Sequence, residues 1–483
     1  MQRNTIQQRK KMTEGKKINP NPILKNQTEG VKTLLGEPKK AVMKLAVPMI
    51  LAMLIQTIYN LADALWVSGL GADALAAVGF VFPFFMMIMA LGTGIGLGSG
   101  SAISRKIGAE DKTGADNVAA HSMILLIIIY IAFSIPLYIF AQPIFQALGT
   151  GDTLSLTVSY AQVIFIGALF IFFSNIANAI LRGEGDAKRA MYALALGSGL
   201  NIVLDPIFIY TFDMGVAGAA WATILSFAIA SIILANWLFF KKDTFVNFTF
   251  KNFHFKKHII KDIFGVGVPA SFSQLSMSLS MLIINFLIVY ITAGNTDGVA
   301  IYSTGWRVAM IAVLPVMGIA TAVISVSGAA YGAKAFEKVS ISHLFSVKIG
   351  FIFELIIAIL IFIFAPQIAA VFSRAEAASH LEAGLTQFFR VMSIYYPSIS
   401  LGMLSSALFQ GIGKGVNSFI ATVFRTLIFT MFFILVFAIS LDGGLVGIWW
   451  GIVVANVISS VLVFAWARTY VKKLMKTIIP VGA

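Results

Sequence analysis

From about residue 40 onward the chain alternates long apolar stretches with short polar ones. Twelve apolar spans are legible, near 44–68, 74–100, 118–140, 154–181, 190–212, 216–240, 259–292, 298–328, 341–364, 384–411, 416–440 and 445–467. A helix rises 1.5 Å per residue, so about 20 residues cross a hydrocarbon core of about 30 Å. Each span therefore predicts a transmembrane helix. The apolar residues run continuously and do not alternate, which argues against a membrane β-barrel.

The polar connections carry a second pattern. The loops after spans 2, 4, 6 and 8 read "SRKIGAEDK", "LRGEGDAKR", "KKDTFVNFTFKNFHFKKHIIK" and "YGAKAFEK", and the C-terminal end reads "ARTYVKKLMK". All contain Lys or Arg. The intervening loops hold a single basic residue, Arg374. Positive residues accumulate on the cytoplasmic side of a membrane, so both termini are expected there. One missed helix would scramble this alternation, so it also supports the count.

Composition agrees. Of 483 residues, 58% are hydrophobic and 12% charged, against about 25% charged in a soluble domain. The net charge is +14. The asymmetric loops explain it without a nucleic-acid partner. With no cysteine there is no disulfide framework or thiolate metal site, and the five histidines show no metal-ligand spacing. No cofactor is expected. Residues 1–40 hold ten Lys/Arg and three Glu. They are expected to form a basic, disordered cytoplasmic tail, either solvated or touching anionic lipid.

The two halves repeat. "AVPMI" at Pro48 pairs with "GVPAS" at Pro269, "KIGAED" at Gly108 with "YGAKAF" at Gly332, and "FAQPI" with "FAPQI". "LRGEGD" pairs with "FQGIGK", and "GVAGAAW" with "GLVGIWW". Six spans per half is an even number, so both halves enter the membrane the same way up. The fold expected is all-α and polytopic, with twelve transmembrane helices in two six-helix lobes related by a pseudo-two-fold axis along the membrane normal. The boundaries are a tail at 1–40, an N-lobe at 41–240, a cytoplasmic linker at 241–258, a C-lobe at 259–470 and a second cytoplasmic tail at 471–483.

Polar residues inside the spans are candidate function, because an ionised Asp at a helix centre costs about 2.5–3.5 kcal/mol. Asp63 and Asp205 are the two aspartates well inside spans. By helical rise Asp205 lies about 24 Å beyond Arg189, Asp63 about 28 Å beyond Lys44, and Thr223 about 10 Å below the outer surface. All three fall in the outer half and can meet. Asn201 and Asp205, at i and i+4, share a face, as do Gln56, Tyr59 and Asp63. Asp63, Asn201, Asp205 and Thr223 would supply hard oxygen ligands suited to Na⁺, or carboxylates suited to a proton. Pro206 removes a backbone donor beside Asp205 and would free a carbonyl near residue 202, while Pro48 could let span 1 bend. Two plainer readings stand beside these. An Asp before a Pro can satisfy the backbone of a kinked helix, and Asp63 can be hydrated at the outer interface. Asn175 and Asn178 line a cavity or pack between helices. Glu354, Arg307, Arg390 and Arg425 in the second half are expected to pair structurally.

The segments "QTIYNLADALWVSGLGADALAAVGF", "GSGSAISRKIGAED", "ANAILRGEGDAKRAM", "NIVLDP", "GVAGAAWAT" and "ALFQGIGKG" together resemble the multidrug and toxic compound extrusion (MATE) family, over residues 40 to 470. The match is to its DinF-like branch, whose cation site lies in the N-terminal lobe. Gln274 stands where the NorM-like branch has an acid on span 7. The resemblance implies a monomeric plasma-membrane antiporter. It would expel cationic or amphipathic compounds, driven by inward H⁺ or Na⁺, with Asp63, Asn201, Asp205 and Thr223 coupling the cation (and ligating Na⁺ if sodium drives). Substrate contacts would fall on Gln56, Tyr59, Asn175 and Asn178. Two alternatives remain: a lipid or lipid-linked oligosaccharide flippase, which would favour several cationic cavity residues, and a membrane enzyme, which would need paired metal-binding acids of the DDxxD kind that this chain lacks.

Overall fold

The computed structural model describes residues 28–241, 243–248, 253, 255–294, 296–374 and 376–477. A short helix, α1 (Glu29–Leu35), precedes the first crossing, α2 (Pro38–Ser68). There follow α3 (Ala72–Gly108), α4 (Lys112–Ile139), α5 (Gly151–Gly183), α6 (Ala187–Thr211) and α7 (Gly215–Phe240). The second half opens with α8 (Lys257–Ile291). The eighth crossing joins α9 (Asp297–Ala312) to α10 (Leu314–Gly332), and α11 (Phe336–Ile363) is the ninth. In the tenth, α12 (Ser379–Ser393) and α13 (Tyr396–Gly411) meet at a bend of 52°. The last two are α14 (Gly415–Ser440) and α15 (Gly444–Lys476). Among the described residues eleven helices are long and apolar enough to cross a membrane, and the bent α12–α13 pair makes the twelfth.

Local chemistry sets the turns. Asp111 accepts from the Gly114 N–H at 2.8 Å, and Asp186 from the Arg189 N–H at 3.1 Å. Each is the last acid of its "GAED" or "GEGD" loop and caps the next helix. The second half has Ala335 and Lys414 at the matching helix starts, with no side-chain cap.

Within the first half α3 packs along α5, α5 along α7, and α6 along α2 and α7. In the second, α13 packs against α10, α11 and α15. The lobes join where α3 meets α8 and α10, and where α2 meets α10. One end of that seam carries Lys106, Lys112, Arg189, Lys257 and Lys338 and is called the basic end below. There Arg105 on α3 donates to Asp262 on α8 at 2.6 Å, and Ser101 Oγ donates to the Gly411 carbonyl at 3.1 Å.

Residues 29–40 depart from the expected disordered tail. Thr28 Oγ1 accepts from Val31 N at 3.3 Å, and the apolar pair Val31 and Leu34 is buried. A capped turn with an apolar stripe to bury has reason to fold. Its far end is held by Lys338, whose Nζ donates to Leu35 O at 2.9 Å and Gly36 O at 3.2 Å. The rest of the tail, residues 1–27, lies outside the described residues. Helix also overruns the other expected boundaries slightly: α8 begins at Lys257, within the linker, and α15 continues to Lys476.

Candidate functional site

Asp205 sits near the end of α6, directly before Pro206. Proline offers no N–H to the ladder. Rather than stopping, the helix widens into a π turn over Ile207–Thr211, and Phe212 N donates to Ile207 O at 2.9 Å, an i→i+5 bond. The Asp205 side chain is fully buried, with Asn201 and Thr223 nearly so. Asp63, from α2, is half-buried. The carboxyls of Asp63 and Asp205 lie within hydrogen-bond reach of each other.

Asn201 ties the pair to α7. With its amide oriented to satisfy both ends, Nδ2 donates to Asp205 Oδ2 at 2.8 Å, while Oδ1 accepts from Thr223 Oγ1 and Thr223 N, each at 3.2 Å. The Tyr59 hydroxyl is within hydrogen-bond reach of Thr223 and within electrostatic reach of both acids. Three helices, the consecutive pair α6 and α7 and the distant α2, thus converge on one small group of oxygens.

A cavity of about 60 Å³ runs beside this group, and Gln56, Tyr59, Asn175, Asn178, Asn201 and Thr223 all contribute to its wall. The two acids stand behind Asn201 and Tyr59 rather than on the wall. Asn175 Nδ2 donates to its own helix at Ile171 O, 2.9 Å away, so that residue both lines the cavity and satisfies its backbone. Asn178 is buried with neither amide atom partnered, which leaves it able to donate and accept toward a guest. Pro48 is buried within a helix that continues through it, close to where Ile50 meets Gly318 of α10.

Sequence reasoning missed two members. Tyr160 on α5 is within electrostatic reach of both Asp63 and Asp205. It precedes Asn175 by about four helical turns, and the apolar residues around it give no stripe to mark its face. Arg182 lines the cavity towards the basic end. Its place inside the charged "LRGEGDAKR" loop hid it.

The second lobe departs from expectation. Glu354 pairs with no arginine; it is buried and both its carboxylate oxygens lack a hydrogen-bond partner. Arg307 and Arg390 instead stand exposed, Arg390 at 5.9 Å over the Phe362 ring. Long basic side chains near span ends reach outward to water more cheaply than inward to an acid. Among the described residues no three His, Cys, Asp or Glu side chains converge. The acid pair with its amide and hydroxyls offers hard oxygens that could hold one small cation or a proton.

Twelve crossings in two lobes, with a buried acid pair beside a cavity in one of them, define a multi-pass membrane transporter. The chain belongs to the MatE family, whose model matches residues 48–207 and 269–436, one block in each half. Among solved structures, that of a MATE in complex with MaL6 is similar at 46% identity and a TM-score of 0.90, covering 93% of this chain and 100% of that one. A MOP superfamily transporter from Pyrococcus furiosus, for which a reversed polarity of the binding pocket has been taken to suggest a different function, is 46% identical at a TM-score of 0.89, over 93% of this chain and 99% of that one. The multidrug export protein MepA of Staphylococcus aureus (strain N315) is 26% identical over 422 residues, 86% of this chain and 90% of MepA.

Proposed function

We propose that this chain exports cationic or amphipathic organic compounds in exchange for an inward-moving cation. The two lobes would rock so that the N-lobe cavity faces one side of the membrane and then the other. Both termini and the basic end would face the cytoplasm. The observation that carries the reading is the approach of Asp63 to Asp205 in a buried site bridged by Asn201 to Thr223. Two carboxyls that hydrogen-bond each other share a proton, since ionised carboxylates only accept. This favours H⁺ as the coupling ion. Na⁺ would use the same oxygens after that proton leaves, with Asp63, Asn201, Asp205 and Thr223 as its ligands.

Coupling follows from charge. A cationic substrate beside the cavity and a proton between the acids compete for the same negative charge. Proton uptake from outside would expel the substrate, and proton release inside would restore its attraction. The contacts at the basic end, Arg105 with Asp262 and Ser101 with Gly411, must break for the cavity to open inward. The similarity to MepA supports multidrug export as the physiological task.

A second reading rests on Arg182, a cationic cavity residue suited to the anionic head of a lipid-linked substrate. One arginine faces two carboxyls, so the cation exporter is preferred. Proteoliposomes loaded with ethidium separate the readings. Export under a proton gradient alone supports H⁺ exchange, and export under a sodium gradient alone supports Na⁺. Export under neither gradient, with scrambling of a lipid-linked sugar instead, would establish the second reading.

A further inference from the structure

Beyond the N-lobe pair, one more acid is sealed within a crossing helix. Glu354 lies about 27 Å along α11 from its basic end. It is 0% exposed, and neither carboxylate oxygen has a partner. Gly350, one turn earlier, shows which way this face looks. A Cβ there would lie 3.0 Å from Leu404 and 3.1 Å from Ser400 on α13, and 3.5 Å from Val316 on α10. Because α11 and α13 run antiparallel, Glu354 comes level with the start of α13. Tyr396 sits there, its buried hydroxyl also without a partner. Tyr395 and Tyr396 both fall within electrostatic reach of Glu354, and Tyr395 is also within reach of Arg425 on α14.

These tyrosines occupy the bend of the tenth crossing. The ladder there tightens to i→i+3 bonds: Ile394 N to Val391 O at 3.3 Å, Tyr395 N to Met392 O at 3.2 Å, and Ser398 N to Tyr395 O at 2.9 Å. Short bonds at a break mark a hinge. The other helices against α11 offer Glu354 no cation. α10 has no acid or base from Leu314 to Ala330. α12 contributes Glu382 at its far end and the exposed Arg390; α2 contributes Lys39, Lys40 and Lys44 at its basic end. On α15, Arg468 is bonded to Ser340 Oγ at 3.0 Å. On α11 itself, Lys348 is exposed and His343 is bonded to Ser405 at 3.0 Å.

A buried carboxylate with neither cation nor donor costs several kcal/mol. A bound proton removes that cost and gives the acid one O–H to donate, for which the Tyr396 oxygen is the acceptor at hand. We propose that Glu354 is a proton-binding site in the second lobe, separate from the Asp63–Asp205 pair, and that its proton sets the angle between α12 and α13. With the proton on, Glu354 rests against Tyr396. With it off, the carboxylate turns past Tyr395 toward Arg425, and the hinge moves with it. A lone carboxylate without a second acid suits a proton better than a metal ion.

The test uses the full-length protein in lipid nanodiscs, with Asp63→Asn/Asp205→Asn silencing the first pair. Infrared difference spectra recorded on acidification should contain a protonated-carboxyl C=O component that Glu354→Gln deletes. Tyr396→Phe, which keeps the acid but removes its acceptor, should shift that component. Spin labels on engineered cysteines either side of the bend should report a pH-dependent distance that Glu354→Gln abolishes. An unchanged difference spectrum in Glu354→Gln overturns the proposal. Should that variant not fold, an unshifted spectrum in Tyr396→Phe overturns it. A band that answers to sodium at fixed pH also overturns it, in favour of a metal site.

Discussion

Gly108 and Gly332 hold the lobes together as a matched pair. A Cβ on Gly108 would collide with the carbonyl of Ala329, and one on Gly332 with the carbonyl of Arg105. Each glycine thus meets the backbone three residues before its counterpart, the relation expected of a two-fold axis through the seam. Backbones this close leave no room for any side chain.

Gly108→Val should therefore hold the basic end open. Overpacking costs about 1–3 kcal/mol, enough to shift a closed-to-open balance about tenfold. The chain has no cysteine, so a single Ser271→Cys substitution reports alone. Ser271 Oγ donates across the seam to Ala90 O at 2.8 Å. A membrane-impermeant maleimide applied from the basic side should label the introduced thiol about tenfold faster in the Gly108→Val background. Equal labelling rates would count against closure by this contact.

Asp63 and Asp205 act on one proton if they act together. Asp205→Asn and Asp63→Asn should each reduce gradient-driven ethidium efflux from proteoliposomes by about tenfold or more, the scale of one lost charged hydrogen bond of ~1.5 kcal/mol. The double variant should be little worse than either single one, since removing half of a shared unit disables it. Additive losses would mean two independent sites.

Asn201 should matter through its bridge. Asn201→Ala leaves an Asp205 oxygen without its donor and costs about 1.5–3 kcal/mol. That donor favours the ionised carboxylate, so without it the proton binds more tightly, and the H⁺ concentration giving half-maximal efflux should fall by about tenfold. Thr223→Val should cost less, because the Thr223 backbone N–H still donates to Asn201. A larger effect at Thr223 than at Asn201 would contradict the hydrogen-bond order described.

Glu184, in the loop between α5 and α6, governs stability at the basic end. It is buried and accepts from Val246 N at 3.0 Å, docking the inter-lobe segment. Burial pushes its carboxyl from the usual 4.5 up to about 8. A carboxyl raised in the folded state contributes fully below about 4.5, and that contribution is lost as pH rises through about 8. Relative to Glu184→Gln, the wild-type melting temperature should fall across that window. Parallel melting curves would show that the buried acid is not titrating there.

What the sequence determined by itself was everything a window of about 20 residues can encode. The number and order of crossings, the alternation of basic loops and the Gly108/Gly332 repeat were all readable. Depth could be counted too, and Asp63, Asp205 and Thr223 do lie at one level. Facing could not be. Helices apolar on nearly every side carry no stripe to say which residues look inward. Only the packing of α2, α5, α6 and α7 decided that Tyr160 stands beside the acids and that Arg182 enters the cavity. Only the packing of α11 on α13 left Glu354 without an arginine. The short helix at 29–35 was missed for a related reason: its two buried apolar residues are held by the lobes they touch, not by their neighbours in the chain.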